Sequence, residues 1–253
     1  SVDDGGRIGL GAVPADVRLK LVRDGVAISL DGGAPTARIQ LKEAVGAALR
    51  LARAFLDLAP TVDPQPRRMA ALVGYLGAEA VFAAAGFEVA GRASPDRSEA
   101  PPLVGAFPAY VGAALPFGRF SAGPLRTLAD FAASSIRLTP FRAVLLPGVS
   151  ADVLPRLSEA GFITRSDDPL LAVAACPGAS ACGAAEVETR SLARRLAALQ
   201  PDARGVWLHI SGCKKSCASS ATHAVTLVGR DGGLDLVLDG RPTDPPRHTG
   251  LSP

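Results

Sequence analysis

An α+β fold is predicted by three features of this 253-residue chain. Strand pairs with hairpin signals stand at both ends, apolar stretches of helical character lie between them, and the middle carries a strand–helix–strand order. That order suits half of a ferredoxin-like sandwich. A Gly-, Ser- and Pro-rich stretch over 91–105 reads as a linker, and the expected parts are 1–100, 104–165 and 166–253. A hydrophobic content of 48% is enough for a real core.

Taken in order, Val17-Arg18-Leu19-Lys20-Leu21-Val22 and Val26-Ala27-Ile28-Ser29-Leu30 alternate around the turn Arg23-Asp24-Gly25. Thr36 is expected to cap a helix from about Arg38 to Ala59, with Ile39, Val45, Leu49, Ala52, Phe55 and Leu56 near one face and Pro60 ending it. A second helix is expected over roughly 68–86. Met69 to Phe87 is mostly apolar, but a charge such as Glu79 near its centre would be costly in lipid, so it reads as a buried core helix.

Tyr110 to Leu115 reads as a strand, Ser121 as the cap of a helix from Gly123 to Ala133, and Ile136 to Leu138 as the start of the next strand. Ala143-Val144-Leu145-Leu146 follows, then a short helix over 151–160 leading to Phe162-Ile163-Thr164. Ala184 to Gln200 is expected to be a helix that buries Val187, Leu192, Leu196 and Leu199, with its N-terminus close to Cys182. A strand over 205–210 and a hairpin of Val225–Val228 with Leu234–Leu238 close the chain. That last hairpin, Arg230-Asp231-Gly232-Gly233 at its turn, repeats the first with one inserted glycine.

The chemistry concentrates in four cysteines, Cys176, Cys182, Cys213 and Cys217, spaced C-x5-C and C-x3-C. Two disulfides, a structural zinc and an iron–sulfur cluster are the three readings. Disulfides do not suit a chain that shows no secretory leader and is expected in a reducing compartment. Zinc pairs are usually spaced by two to four residues, which makes x5 too wide. A [4Fe–4S] cube takes four cysteines and tolerates wider loops, and it is the favoured reading. Small residues around both pairs would let backbone amides approach its sulfurs.

A C-x5-C followed by a C-x3-C, on Ala-Cys-Pro-Gly and Ser-Gly-Cys frames, resembles the cluster module of the nitrite and sulfite reductase superfamily, and within it the precorrin-3B synthase branch. The run Cys182-Gly183-Ala184-Ala185-Glu186-Val187-Glu188-Thr189-Arg190 is similar to that branch. The reductases typically read Gly-Cys-Pro-Asn-x-Cys at the second pair, where this chain has Gly212-Cys213-Lys214-Lys215-Ser216-Cys217. Leu115-Pro116-Phe117-Gly118-Arg119 and Arg137-Leu138-Thr139-Pro140 resemble the superfamily's ferredoxin-like half-domain.

The resemblance implies a ferredoxin-like half-domain and a nitrite/sulfite reductase-like [4Fe–4S] domain, preceded by the end of a related repeat. The chain begins with Ser1 and holds a single methionine, Met69, so it is expected to be a C-terminal portion that is inactive alone. The implied reaction is the monooxygenation of precorrin-3A to the hydroxy-lactone precorrin-3B in aerobic cobalamin biosynthesis, with O2 and with NADH as electron donor, directly or through a reductase. A mononuclear non-haem iron is also implied, with no ligand set legible. Arg119, Arg137 and Arg142 fall in segments whose counterparts line the tetrapyrrole cavity. Lys214 and Lys215, between two proposed ligands, would stabilise the negative cluster and an anionic tetrapyrrole. Catalytic residues stay unassigned. The alternatives are a sirohaem-dependent nitrite or sulfite reductase, in which Cys217 would bridge cluster and haem, and a metal-stabilised binding module without catalysis.

A net charge of +3 is too small for an ordinary nucleic-acid footprint. No membrane partner is expected, and a cytoplasmic location follows. His209 is expected to be a packed strand histidine rather than an iron ligand, and His223 and His248 carry no signal.

Overall fold

The computed structural model describes the whole chain except residues 5–7, 12, 93–102, 133–134, 201 and 203–204. It divides into two compact units, Ser1–Pro101 and Pro102–Pro253. Most of the stretch read as a linker lies outside the described residues.

The first unit is a five-stranded sheet with helices packed on one face. Strands β1 (Val2–Asp3), β2 (Val17–Val22), β3 (Gly25–Leu30), β4 (Pro35–Ile39) and β5 (Gly91–Arg92) lie in that order. β1 and β2 are parallel, and the other pairs are antiparallel. Helices α1 (Ala44–Leu58), α2 (Met69–Leu76) and α3 (Ala78–Ala84) complete it. Ile28, Leu51, Leu72, Val81 and Phe82 are fully buried in its core, each worth about 2–3 kcal/mol of apolar burial.

The helix expected from Arg38 begins later. Residues 35–39 pair with β3, from Val26↔Ile39 to Ser29↔Thr36, and their ladder outweighs the local helical pattern. The helical turn starts where the Gln40 amide donates to the Glu43 carboxylate at 2.9 Å. The buried face of α1 is also rotated from the expected one. Ala47, Leu51 and Ala54 face inward, whereas Val45 and Leu49 are 74% and 66% exposed. Alanines at the contact let the helix lie close to its neighbours. The second expected helix is two helices, broken at Gly77, whose φ of 82° and ψ of 150° leave the helical region. Among the described residues no helix is long and apolar enough to cross a membrane.

The second unit holds two sheets. The first, in the order β6 (Gly105–Phe107), β7 (Tyr110–Ala114), β9 (Ala143–Pro147), β8 (Arg137–Leu138), is antiparallel throughout. β7 and β8 flank β9, and helix α4 (Ala122–Phe131) joins them, which is the split strand–helix–strand order of a ferredoxin-like half. Helix α5 (Leu154–Glu159) follows, and Val111, Val144, Leu128 and Leu157 share the core. Strand β6, unforeseen, begins at the end of the stretch read as a linker.

The second sheet runs β10 (Val173–Ala175), β11 (Leu208–Ser211), β12 (His223–Arg230), β13 (Gly233–Gly240), β14 (His248–Leu251), with helix α6 (Thr189–Ala197) packed on β10 and β11. β10, β11 and β12 are parallel, and the rest is antiparallel. The repeated hairpins align by register, Val22↔Gly25 against Arg230↔Gly233. Asp231 and Gly232 both have positive φ, 52° and 75°, as a type I′ turn requires. Arg23 and Asp24 make the other turn, and Gly25 follows at φ 134°, where a Cβ would strike the Ile39 carbonyl.

Candidate metal centre

Two adjacent parallel strands bring the cysteine pairs together. β10 and β11 pair with Ala175 opposite Ile210, so the chain leaves both at the same edge. Cys176 follows β10 at once, and its amide donates to the Ile210 carbonyl at 3.2 Å. Cys213 follows β11 after Gly212. The two loops are tied by the Glu186 amide donating to the Gly212 carbonyl at 2.9 Å and by the Gly212 amide donating to Cys176 Sγ at 3.1 Å. A Cβ at position 212 would lie 2.5 Å from the Ala185 Cβ. Glycine is therefore required for this approach.

These ties explain why α6 is shorter than expected. The amides of Ala185 and Glu186 go to the Cys182 and Gly212 carbonyls instead of into a helix. The helix opens at Thr189, whose hydroxyl donates to the Cys176 carbonyl at 2.6 Å. Its N-terminus thus sits at the turn of Cys176, and Leu199 is exposed.

Cys176 is buried, Cys182 and Cys213 are half-buried and Cys217 is exposed; none forms a disulfide. Cys176 and Cys217 line one cavity of about 250 Å³ with Phe117, Arg142, Arg190 and Ala218. Among the described residues no three His, Cys, Asp or Glu side chains gather as the ligands of one ion. A tetrahedral zinc needs all its donors within ~2.3 Å of a point. A cube binds each thiolate at a different corner and suits a broader set. Of the four thiols, Cys176 and Cys217 line the cavity and Cys176 already receives an amide N–H, as a cube's thiolate would, whereas Cys182 and Cys213 do not line it.

The loop after Cys213 is braced from below. Ser211 Oγ donates to the Cys213 carbonyl at 2.6 Å, and Ser216 Oγ donates to the Ser219 carbonyl at 2.5 Å. His223 lies 3.0 Å through Nδ1 from the Val206 carbonyl, which can only accept. Nδ1 therefore carries the proton, and Nε2 accepts from Ser219 Oγ at 2.7 Å. His223 is thus a buried anchor for the segment just after Cys217, a role with no local sign in the sequence. His209 is fully buried on β11, with neither ring nitrogen hydrogen-bonded and its ring 5.3 Å from that of His223. Burial, and secondarily His223, push its pKa down to about 4.

The expected cations separate. Arg142 reaches across with Nη1 to the Val173 carbonyl at 2.9 Å and Nη2 to the Leu171 carbonyl at 3.3 Å, and burial lowers its pKa. It braces the segment that leads to Cys176 while lining the cysteine cavity. Arg119 lines a neighbouring cavity. Arg137 is exposed on β8 and lines neither, and Lys214 and Lys215 are exposed on their loop. Sequence reasoning misses Arg190 and Arg194 on α6 and the ring of Phe117, on which both guanidiniums lie, at 5.9 and 5.3 Å from its centroid. Their one sequence sign is the position of Arg190 in the run after Cys182.

The chain is similar to several known proteins. Residues 107–160 match the nitrite/sulfite reductase ferredoxin-like half domain. The chain is 31% identical over 94% of its length to a precorrin-3B synthase of Sinorhizobium sp, and spans 55% of that protein. It is 29% identical to the chloroplastic ferredoxin–nitrite reductase of Zea mays over 70% of this chain and 36% of that one. It is 30% identical to a coenzyme F420-dependent sulfite reductase of Methanocaldococcus jannaschii over 46% of this chain and 20% of that one. The solved structure of the Mycobacterium tuberculosis NirA protein shares the fold over 93% of this chain and 52% of its own, with a TM-score of 0.68 and 20% identity. By half-domain, relatives and fold, the chain resembles proteins of the nitrite/sulfite reductase-like superfamily, and it spans about half the length of the synthase and of the solved structure that it matches.

Proposed function

We propose that Cys176, Cys182, Cys213 and Cys217 hold one [4Fe–4S] cluster, and that the chain is the cluster-bearing part of a precorrin-3B synthase-like monooxygenase of aerobic cobalamin biosynthesis. The observation that carries this reading is the junction of the two cysteine loops at the ends of β10 and β11, with the Gly212 amide on Cys176 Sγ. The chain spans 55% of the synthase it resembles, so the cluster-bearing role is ascribed to it and the complete reaction to the longer protein.

When bound, such a cluster supplies one-electron transfer. The chain's own residues would hold it. Gly212 places an N–H on a thiolate, which favours the reduced, more negative state. Ala174, Ala175 and Pro177 line the Cys176 side of the cavity, and Arg142 fixes the approach of β10. The proposed substrate is an anionic tetrapyrrole, precorrin-3A, attracted by Arg119, Arg137, Arg142, Lys214 and Lys215. Its hydroxylation takes one oxygen atom of O2 into the substrate and sends the other to water, with the electron pair drawn from NADH, directly or through a reductase. The described residues show no ligand set for the mononuclear iron that this family implies, and no step is assigned to it. The cytoplasm, where unpaired thiols persist, is the proposed location.

Two of the relatives are reductases, which keeps a sirohaem-dependent nitrite or sulfite reductase as the second reading. Lys214-Lys215 in place of the reductases' Pro-Asn favours the synthase. The test is an anaerobic preparation assayed with precorrin-3A and with nitrite. Precorrin-3A-dependent O2 and NADH consumption by the full-length protein is expected. A haem-type spectrum with nitrite reduction would decide for the reductase.

A further inference from the structure

The four cysteines are not held alike. The Cys176 amide donates to the Ile210 carbonyl at 3.2 Å, its carbonyl accepts from Thr189 Oγ at 2.6 Å, and its Sγ accepts from the Gly212 amide at 3.1 Å. The Cys182 carbonyl accepts from the Ala185 amide at 3.0 Å, and the Cys213 carbonyl from Ser211 Oγ at 2.6 Å. Cys217 is the most exposed of the four. None of the hydrogen bonds found among the described residues engages its backbone or its thiol.

The neighbours of Cys217 are fixed instead. Ser216 sits at φ 60°, a left-handed conformation that a serine keeps only when its surroundings hold it there. Its hydroxyl donates to the Ser219 carbonyl, which closes a turn around Cys217 and Ala218. Ser219 Oγ accepts from the Ala221 amide at 3.2 Å and donates to His223 Nε2 at 2.7 Å. His223 Nδ1 in turn donates to the Val206 carbonyl at 3.0 Å, in the approach to β11. His223 is buried on β12, which pairs with β11. The turn that carries Cys217 therefore hangs from the sheet through one imidazole. A ligand holds its metal only when the groups behind it fix its orientation. Cys176, Cys182 and Cys213 have bonds of their own for this, and Cys217 has the two serines and His223.

We infer that His223, acting through Ser219 and Ser216, is the positioning residue for Cys217, and that the iron at Cys217 is the corner the proposed cluster sheds when this brace is broken. The iron at that corner rests on the function proposed above; the brace does not. In the shedding step an added oxidant, ferricyanide, takes one electron from the cube and is reduced to ferrocyanide. One iron leaves as the ferrous ion, the Cys217 thiolate is freed, and a [3Fe–4S] core stays on the other cysteines.

The test uses the whole chain after anaerobic cluster reconstitution, treated with ferricyanide and followed by EPR and iron analysis. Ser219→Ala and His223→Asn should shed one iron roughly fivefold faster than the unaltered chain, the worth of one lost hydrogen bond, and show the signal of an oxidised [3Fe–4S] centre. Asparagine can place a donor near the Nδ1 position but reaches nothing at Nε2. His223→Gln reaches the Nε2 position and should recover part of the loss. Cys217→Ala should show the same [3Fe–4S] signal. Ser219→Ala, at a half-buried position, serves if the His223 variants do not fold. Shedding by Ser219→Ala and His223→Asn at the unaltered rate would overturn the brace, and loss of all iron from Cys217→Ala would overturn the separate corner. In the metal-free chain, amide hydrogen exchange over 214–221 should quicken roughly fivefold in Ser219→Ala while 173–176 is unchanged. If the unaltered chain assembles no cluster, the cluster reading falls and this exchange decides the brace by itself. Equal exchange in the two chains would overturn it.

Discussion

The two five-stranded sheets share a hairpin and differ in where their parallel strands lead. In the first unit the hairpin β2–β3 is flanked by one short parallel strand, β1, and the sheet is backed by α1, α2 and α3. In the second unit the equivalent hairpin β12–β13 is flanked by two parallel strands, β11 and β10, and each runs straight into a cysteine loop. The sheets are scaffolds of the same kind. The proposed chemistry is lodged in the loops that adjacent parallel strands deliver to one edge, so substitutions should separate scaffold effects from site effects.

The largest separation is expected at the ligands. Cys213→Ser should lower iron and sulfide per chain by about tenfold or more and reduce stability as well, because the ligand loop and the β11 core are continuous. Metal analysis beside thermal unfolding measures both.

One added methyl group in each sheet is the next contrast. Gly212→Ala forces a Cβ to 2.5 Å from that of Ala185 and disturbs the amide on Cys176 Sγ; cluster occupancy should drop several-fold. Gly25→Ala is strained by its φ of 134° and its contact with the Ile39 carbonyl. It should cost about 2 kcal/mol of stability while iron per folded chain stays constant. Equal loss of iron from both variants would erase the distinction between the sheets.

A graded effect is expected from pH. His209 is neutral in the fold, with its pKa held near 4 by burial and by His223. Its contribution is complete above the ordinary histidine value and is lost as pH falls through about 6.5 toward 4, to a limit of ~3 kcal/mol. No counterpart occurs in the first unit, whose described residues include no histidine. His209→Phe should flatten the unfolding midpoint over that window, and an unchanged slope would show that other groups set it.

Smallest of all, Lys214→Ala/Lys215→Ala should change stability by less than about 0.5 kcal/mol, since both side chains are exposed. Its effect belongs to anionic ligand binding and should shrink as salt is raised.

Much of the scaffold is legible because its signals are local. Both hairpins announce themselves by alternation around Asp-Gly turns, and the ferredoxin-like half by its order of short strands and one helix. The errors fall where a distant partner decides. Pro35–Ile39 is a strand because β3 is beside it, and residues 184–188 are looped because Gly212 takes the Glu186 amide. The candidate site divides in the same way. Four cysteines in two pairs stand out from the sequence alone. The cluster of Phe117, Arg119, Arg190 and Arg194 exists only once the loop after β7 meets α6, and the His223 brace only once β12 lies beside β11.

Whether the four cysteines hold a single cube is decided by iron and acid-labile sulfide analysis, with EPR of the reduced state, on anaerobically purified chain. About four iron and four sulfide per chain are expected, with the signal of a reduced [4Fe–4S] centre, all lost in Cys213→Ser. About one zinc per chain with no sulfide would contradict the single cube.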